Sequence, residues 1–416
     1  MTTIDHPVTA VALPVRPRAW TVWITVLAIG LLIGFGSFIY QWTQGLGVTG
    51  LSNTITWGLY IVAFMFLVGI SAGGLIVVAG AELVGSTRFE HVNRLAVVCS
   101  VAAVATAAGA ILPDLGRPQQ AWKMIVQPHF TSPLVWDMGV LSVYLAIGVI
   151  DLWILTRVPV PAKALRIMAI VSLPVAILVH SVTAWIFGLL VARPFWNTPL
   201  LAPLFISSAL VSGTALVVAT GWVLERVTTF RVTQPVYEGL RRLLLWFVAA
   251  DVFLLFTEVM TTFVSGDPEH RRQLDILLTG RLAPVFWSEV FIGVALPVVL
   301  LLSRVGRRAN TMLVASVLLI MGVFAKRINI LFAAEFQPLV GLSPGIPGGR
   351  PGQAFRPDEV YIPSWVELGV LLGMAAFFFT IVTLGVQRAV LPHQNDSHDP
   401  SPGNPHDIPS DQEHHQ

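Results

Sequence analysis

A single cysteine, Cys99, occurs in the 416 residues of this chain. One thiol makes neither a disulfide nor an iron–sulfur site, and Cys99, set among small residues, reads as a packed thiol. Charge is scarce too. Asp, Glu, Lys and Arg together make up 12% of the residues and hydrophobic residues 55%, with a mean hydropathy of +0.75. That is about half the charged share of a soluble domain, which excludes that class. Of ten histidines, five lie in the polar tail from His393 to Gln416, and His180 alone falls inside an apolar run. A bis-histidine haem needs two facing membrane histidines and is therefore excluded. No P-loop and no metal-ligand spacing occur, so the expected metal set is none. A redox role would need a partner chain to carry the electrons.

What is present is a series of ten apolar runs, the first near 20–40 and the last near 364–390, each long enough to cross a bilayer at about 20 residues per span. The runs are continuous and do not alternate with period two, which argues against a β-barrel. The expected fold is all-α and polytopic, with two four-helix bundles as parallel repeats and two peripheral helices. Residues 1–19 read as a cytoplasmic segment and 20–56 as a peripheral helix with an outer loop. Residues 57–190 form the first bundle, 191–334 the second, 335–363 a Pro/Gly-rich outer loop and 364–390 the last helix. Residues 391–416 read as a disordered, His-rich tail. The first 19 residues lack the pattern of a cleavable signal, because charges and prolines precede a hydrophobic segment too long for one. With a cytoplasmic N-terminus, the inner segments hold 15 of the 25 Lys and Arg, a bias that places both termini inside.

The repeat is read from two matches. Ser71-Ala-Gly-Gly-Leu-Ile-Val-Val-Ala-Gly80 in span two parallels Ser212-Gly-Thr-Ala-Leu-Val-Val-Ala-Thr-Gly221 in span six, and Pro133-Leu-Val-Trp136-Asp137 parallels Pro284-Val-Phe-Trp287-Ser288-Glu289. Gly69, Ser71, Gly73, Gly74 and Gly80 are expected to permit close helix approach.

Ionisable groups at membrane depth mark candidate function. Asp114 ends span three, Asp137 opens span four and His180 lies in the outer part of span five. Arg117 and Arg193 adjoin them, and Trp136 and Trp185 supply aromatic surface at interfacial depth. A quinone needs an apolar slot, a hydrogen-bond partner for each carbonyl and a proton-active group. His180 suits the last role. A second set comprises Asp251 and Glu258, seven apart and so on one helix face, with Glu289, Lys326 and Arg327 on the next two spans. It reads either as an ion-pair network or as a proton relay. Glu82 and Glu225, at the inner ends of spans two and six, could admit cytoplasmic protons.

These residues resemble the NrfD/PsrC family, the membrane subunits of polysulfide-reductase-type respiratory enzymes. The resemblance rests on TWGLYIVAFMFLVGISAGG (56–74), LPDLGRP (112–118), SPLVWD (132–137), HSVTAWIFG (180–188) and YIPSWVE (361–367), in that order. It implies a multi-pass subunit of the bacterial inner membrane that exchanges electrons between menaquinone or ubiquinone and an iron–sulfur subunit on the outer face. That subunit would serve a catalytic chain, often of molybdopterin type. The quinone-site positions carried over are Asp114, Arg117, Trp136, Asp137 and His180. Two rivals stand beside this reading. A secondary transporter would break corresponding helices of the two halves, yet Pro174 in span five and Pro297 in span eight do not correspond. A structural anchor without quinone chemistry would leave the acid cluster unexplained.

Overall fold

A computed structural model describes residues 17–52, 54–83, 89–157, 161–266, 268–337 and 360–391. The N-terminal segment, most of the Pro/Gly-rich loop and the His-rich tail lie outside the described residues. Ten helices are long and apolar enough to cross a membrane, and no strand occurs among the described residues. They are α1 (Pro17–Gln44), α2 (Leu59–Leu83), α3 (Glu90–Ala110), α4 (Pro133–Leu155), α5 (Ala162–Gly188), α6 (Leu201–Val227), α7 (Gln234–Val264), α8 (Ala283–Leu302), α9 (Ala309–Glu335) and α10 (Trp365–Val390). Helices prevail because hydrocarbon offers no water to backbone N–H and C=O groups, which must then pair within the segment.

Local chemistry sets the ends. Gly45, at φ 77°, stops α1 in the left-handed region that other residues avoid. Ser364 and Glu367 form a capping box at the start of α10: Ser364 Oγ accepts from the Glu367 amide at 3.3 Å, and the Glu367 carboxylate accepts from the Ser364 amide at 2.8 Å. Within α8, residues Glu289–Ala295 widen into a π-turn. Pro297 stands two residues beyond it; it lacks an N–H and crowds the carbonyl four residues back, Gly293, so the wider turn accommodates it. Pro174, by contrast, lies within the continuous helix α5.

Helices α2, α3, α4 and α5 pack as a closed ring, and α6, α7, α8 and α9 pack as another. The rings meet along α2 and α6, flanked by contacts of α5 with α6 and of α9 with α2. The flanking pairs correspond, because α5 and α9 hold equivalent places in their rings. Glycine makes the central contact possible: a methyl group on Gly73 would overlap the Ala209 carbonyl, and one on Gly213 would overlap the Gly73–Gly74 backbone. Helices α1 and α10 pair outside the rings through Gly34 against Gly373, and α10 rests on α3.

One sequence expectation changes here. Gly80 has no neighbour within 4 Å of where a Cβ would stand, so it makes no close approach, although it lies two turns from Gly73 on the same face. The outer connection 265–280 carries a helix of its own. Its Pro268–Leu278 segment is a helix lying across the ends of α7, α8 and α9.

The crossing yields a paired prediction. Gly73→Val should destabilise the protein by at least the cost of overpacking, about 1–3 kcal/mol, whereas Gly80→Val should stay within about 0.5 kcal/mol. Thermal unfolding of the purified protein checks both; equal midpoints for the two variants would refute the seam.

Candidate functional site

The connections between helices are longest at the end where α2 begins, called outer here after the charge bias. At that end the chain gathers a polar cluster around the first turn of α2. The Glu367 carboxylate, 0% exposed, accepts from the Gly50 amide at 2.7 Å and from the Tyr361 hydroxyl. The same hydroxyl accepts from the Leu59 amide at 2.9 Å. Burial pushes the Tyr361 phenol above its ordinary range, and the Glu367 carboxylate adds to this, so Tyr361 stays a donor. Beside it, Tyr60 donates to the Gln41 side-chain oxygen, and the Gln41 amide donates to the Pro113 carbonyl.

Asp114 closes this layer. Its Oδ1 is buried and has no hydrogen-bond partner, and the Glu367 and Glu335 carboxylates are near enough to act on it. Glu335 accepts from the Thr56 amide at 3.1 Å and the Thr56 hydroxyl at 3.2 Å, with Arg193 Nη2 at 3.5 Å. Burial pushes the Arg193 guanidinium below its usual range, and the Glu335 carboxylate opposes that shift. Arg193 also donates to the Ala334 and Gln337 carbonyls, tying the loop after α5 to the end of α9.

Deeper, Asp137 and His180 take up separate settings. Asp137, 2% exposed, accepts from the Thr183 hydroxyl at 2.6 Å. His180 stands one turn inward from Thr183 and is fully enclosed, and neither ring nitrogen has a hydrogen-bond partner; the Phe205 carbonyl faces the ring without reaching hydrogen-bond geometry. Across the seam, Arg327 of α9 lies over the Phe205 ring at 4.1 Å and donates from Nη2 to Ser208 Oγ at 2.7 Å, while its Nε and Nη1 have no partner. Gly69 separates the two: a Cβ there would lie 3.5 Å from Arg327 Nη2 and 3.6 Å from His180 Nε2. Between this level and the outer surface Trp57 stacks on Trp196, and Phe187 meets both rings edge-on.

In the second ring, Lys326 joins two acids. It donates to Asp251 and lies 3.7 Å from Glu289. Ser207 also donates to Asp251, at 2.8 Å, and Asn329 to Glu289, at 2.7 Å. The π-turn begins at Glu289. Glu258 lies further out, accepts from Thr198 at 3.1 Å, and borders a cavity of about 40 Å³ that also touches Glu289, Lys326 and Asn329. A cleft of about 250 Å³ opens between the outer ends of α5 and α6, lined by Ala184, Trp185, Asn197 and Thr198 among others.

Among the carried-over positions, Arg117 and Trp136 are exposed, and Trp136 donates to the Phe130 carbonyl of its own loop. Glu82 is half-buried at the inner end of α2. Asp114 lies near Glu335 and Glu367, Asp137 bonds Thr183, and His180 faces Arg327 across Gly69. Glu225, at the inner end of α6, accepts from the Tyr237 hydroxyl at 2.7 Å. Sequence reasoning did not single out Tyr60, Glu335, Tyr361 or Glu367 as site residues, although three of them fall in the motifs TWGLYIVAF and YIPSWVE. The signal that could have found Glu367 is Ser-x-x-Glu at a helix start. Among the described residues, no group of three or more His, Cys, Asp or Glu side chains is arranged to hold a metal ion.

Residues 47–338 match the profile of the family described as Polysulphide reductase, NrfD. A Halobacterium salinarum protein that bears the name of a dimethyl sulfoxide reductase membrane subunit is 32% identical over 406 residues, covering 88% of this chain and 90% of its own. A selenate reductase subunit from Mesobacillus selenatarsenatis is 22% identical over 396 residues, covering 86% of this chain and 92% of its own. The Hdr-like menaquinol oxidoreductase integral membrane subunit of Archaeoglobus fulgidus is 24% identical over 372 residues, covering 88% of this chain and 92% of its own.

The second-ring network gives a quantitative expectation. Lys326→Met strands two buried carboxylates and should cost about 3–5 kcal/mol. Neutralising those acids in the same chain, with Asp251→Asn and Glu289→Gln, should recover most of that loss. Unfolding midpoints of the single and triple variants measure it, and a harmless Lys326→Met would show that the acids do not need the cation.

Proposed function

The chain belongs to the NrfD polysulphide reductase family, and on that premise we propose that it is the quinone-reactive membrane subunit of a respiratory oxidoreductase. It exchanges electrons between menaquinone or ubiquinone in the bacterial inner membrane and an iron–sulfur subunit docked on the outer face, which serves a molybdopterin-type catalytic subunit. Both termini lie in the cytoplasm. The chain is catalytically incomplete alone, since its own residues handle protons and bind substrate while the partner carries electrons. The names of the relatives support this reading: they are subunits of reductases or oxidoreductases, two are named as membrane subunits, and one is named for menaquinol.

The observation that carries the proposal is His180, a fully buried imidazole with both nitrogens unpartnered, one turn inward from the Asp137–Thr183 pair. Buried polar atoms are rarely left without partners, so such a ring awaits one. A quinone carbonyl supplies an acceptor, and a quinol hydroxyl supplies a donor. The aromatic layer of Trp57, Phe187 and Trp196 offers apolar surface for the head group, with Asp114 on its outer side. Trp136 and Arg117 are exposed at the outer end. The cleft at Trp185 gives an isoprenoid tail a way to lipid. On this reading His180 and Asp137 hold the protons that quinone chemistry takes up or releases. The set Asp251, Glu258, Glu289, Lys326 and Arg327 is available for proton transfer in the second ring, with Glu82 at the inner end of the first.

Binding of a quinol analogue to the purified complex tests the assignment. His180→Ala and Asp114→Asn should each weaken binding at least tenfold in folded protein. Wild-type affinity and turnover in both variants would remove the outer-end cluster from the chemistry.

A further inference from the structure

The connection from α8 to α9, at the inner end of the second ring, carries positive charge that no acid there matches. It runs from Ser303 to Arg308, and its Arg304–Arg307 portion is a 3-10 turn. Side chains three apart eclipse in such a turn, so Arg304 and Arg307 project from one side of it. Both are exposed, as is Arg308, and none of the three side chains has a hydrogen bond or ion pair among the described residues.

The turn is firmly seated. Gly306 is buried, and a Cβ there would overlap the Leu300 and Leu301 carbonyl oxygens, so the backbone lies pressed against the end of α8. Arg241 of α7 donates to the same Leu301 carbonyl at 2.7 Å. Its Nε and Nη2 bond Glu238, which also accepts from Arg242 Nε at 3.0 Å, so Glu238 is already matched by two arginines. Arg226 of α6 is engaged as well: it donates to Asn310 at 2.8 Å and lies over the Trp222 ring. What is left over is the charge of the turn itself. Apolar surface runs up to it. Val299 and Leu302, three apart on α8, are 64% and 66% exposed, and Val305 in the turn is 42% exposed.

The repeat supplies a control. In the first ring the corresponding connection has the same length: α4 ends at Leu155 and α5 begins at Ala162, as α8 ends at Leu302 and α9 begins at Ala309. Arg157 stands there in the place of Arg304, but Val160 and Pro161 stand in the places of Arg307 and Arg308. Arg157 is moreover engaged, over the Trp153 ring at 4.1 Å. Closing a connection of this length therefore requires neither Arg307 nor Arg308. Orientation in the membrane also favours cationic inner loops, but it counts charge over all such segments and does not call for two guanidinium groups on one side of a fixed turn.

We propose that Arg304, Arg307 and Arg308 bind the phosphate of an anionic phospholipid in the leaflet at the inner end, with its acyl chains along Val299 and Leu302. A guanidinium presents a planar fork of donors that fits phosphate oxygens, and it is less strongly hydrated than an ammonium. Basic pockets between membrane helices on the cytoplasmic side hold such headgroups. The lipid matches the charge of the turn and joins α8 to α9 beside the point where Arg241 fastens α7. This site is independent of the quinone reading.

Native mass spectrometry of the purified full chain in neutral detergent, titrated with phosphatidylglycerol or with phosphatidylcholine of the same chains, tests the assignment. Wild type should bind phosphatidylglycerol at least tenfold more tightly, and its thermal midpoint should rise with that lipid alone. Arg304→Gln combined with Arg307→Val, the second of which copies the first ring, should remove the preference while phosphatidylcholine binding stays within twofold. Arg157→Gln, which takes one charge from the first ring's connection, should leave the preference unchanged. Inorganic phosphate at the lipid's concentration should not displace the lipid, because it lacks the chains. Equal affinity of wild type for the two lipids, retention of the preference by the double variant, an equal loss in Arg157→Gln, or displacement by inorganic phosphate would each overturn the proposal. Should the double variant not fold, Arg307→Val alone decides: a loss of at least threefold in phosphatidylglycerol affinity supports the site, and wild-type affinity overturns it.

Discussion

The crossing of α2 and α6 at Gly73 and Gly213 is the contact on which the rest of the structure depends. Lipid gives helices no hydrophobic reason to associate, so close backbone approach must come from small residues. Here it draws two four-helix rings together until α5 meets α6 and α9 meets α2. The consequence is chemical as well as structural. His180 of one ring and Arg327 of the other face each other over Gly69, in a place no single ring could build.

The two rings use the same positions differently. In the first, Asp137 on α4 bonds Thr183 on α5; in the second, Glu289 on α8 bonds Asn329 on α9. Three residues before Thr183 is His180, and three before Asn329 is Lys326. The second ring places a cation there and holds it with Asp251 and Glu289, so its charges are largely matched. The first ring places an imidazole there and leaves it unpaired. A matched buried network resists change, since breaking it strands a charge, whereas an unmatched imidazole is free to accept a partner. On the proposed reading, substrate chemistry belongs to the first ring for this reason.

Much of the architecture was legible in the sequence. Ten continuous apolar runs gave ten helices, because run length against a fixed rise per residue is a local property. The depth of Asp137, His180, Asp251 and Lys326 followed from their places within those runs. The partners did not follow. Glu335 and Glu367 looked like residues at the helix–loop boundary, yet both are almost fully enclosed, held by Thr56 and by Gly50 respectively across some 280 to 320 residues of chain. Gly80 looked like a packing glycine and faces open space.

What the sequence determined by itself was the number of helices, their lengths and the level in the membrane at which each ionisable group sits. Only the tertiary structure decided which of those groups meet. Depth depends on counting residues along one helix, while a meeting depends on how each helix is rotated about its axis, and that rotation is set by the small-residue seams between helices distant in sequence.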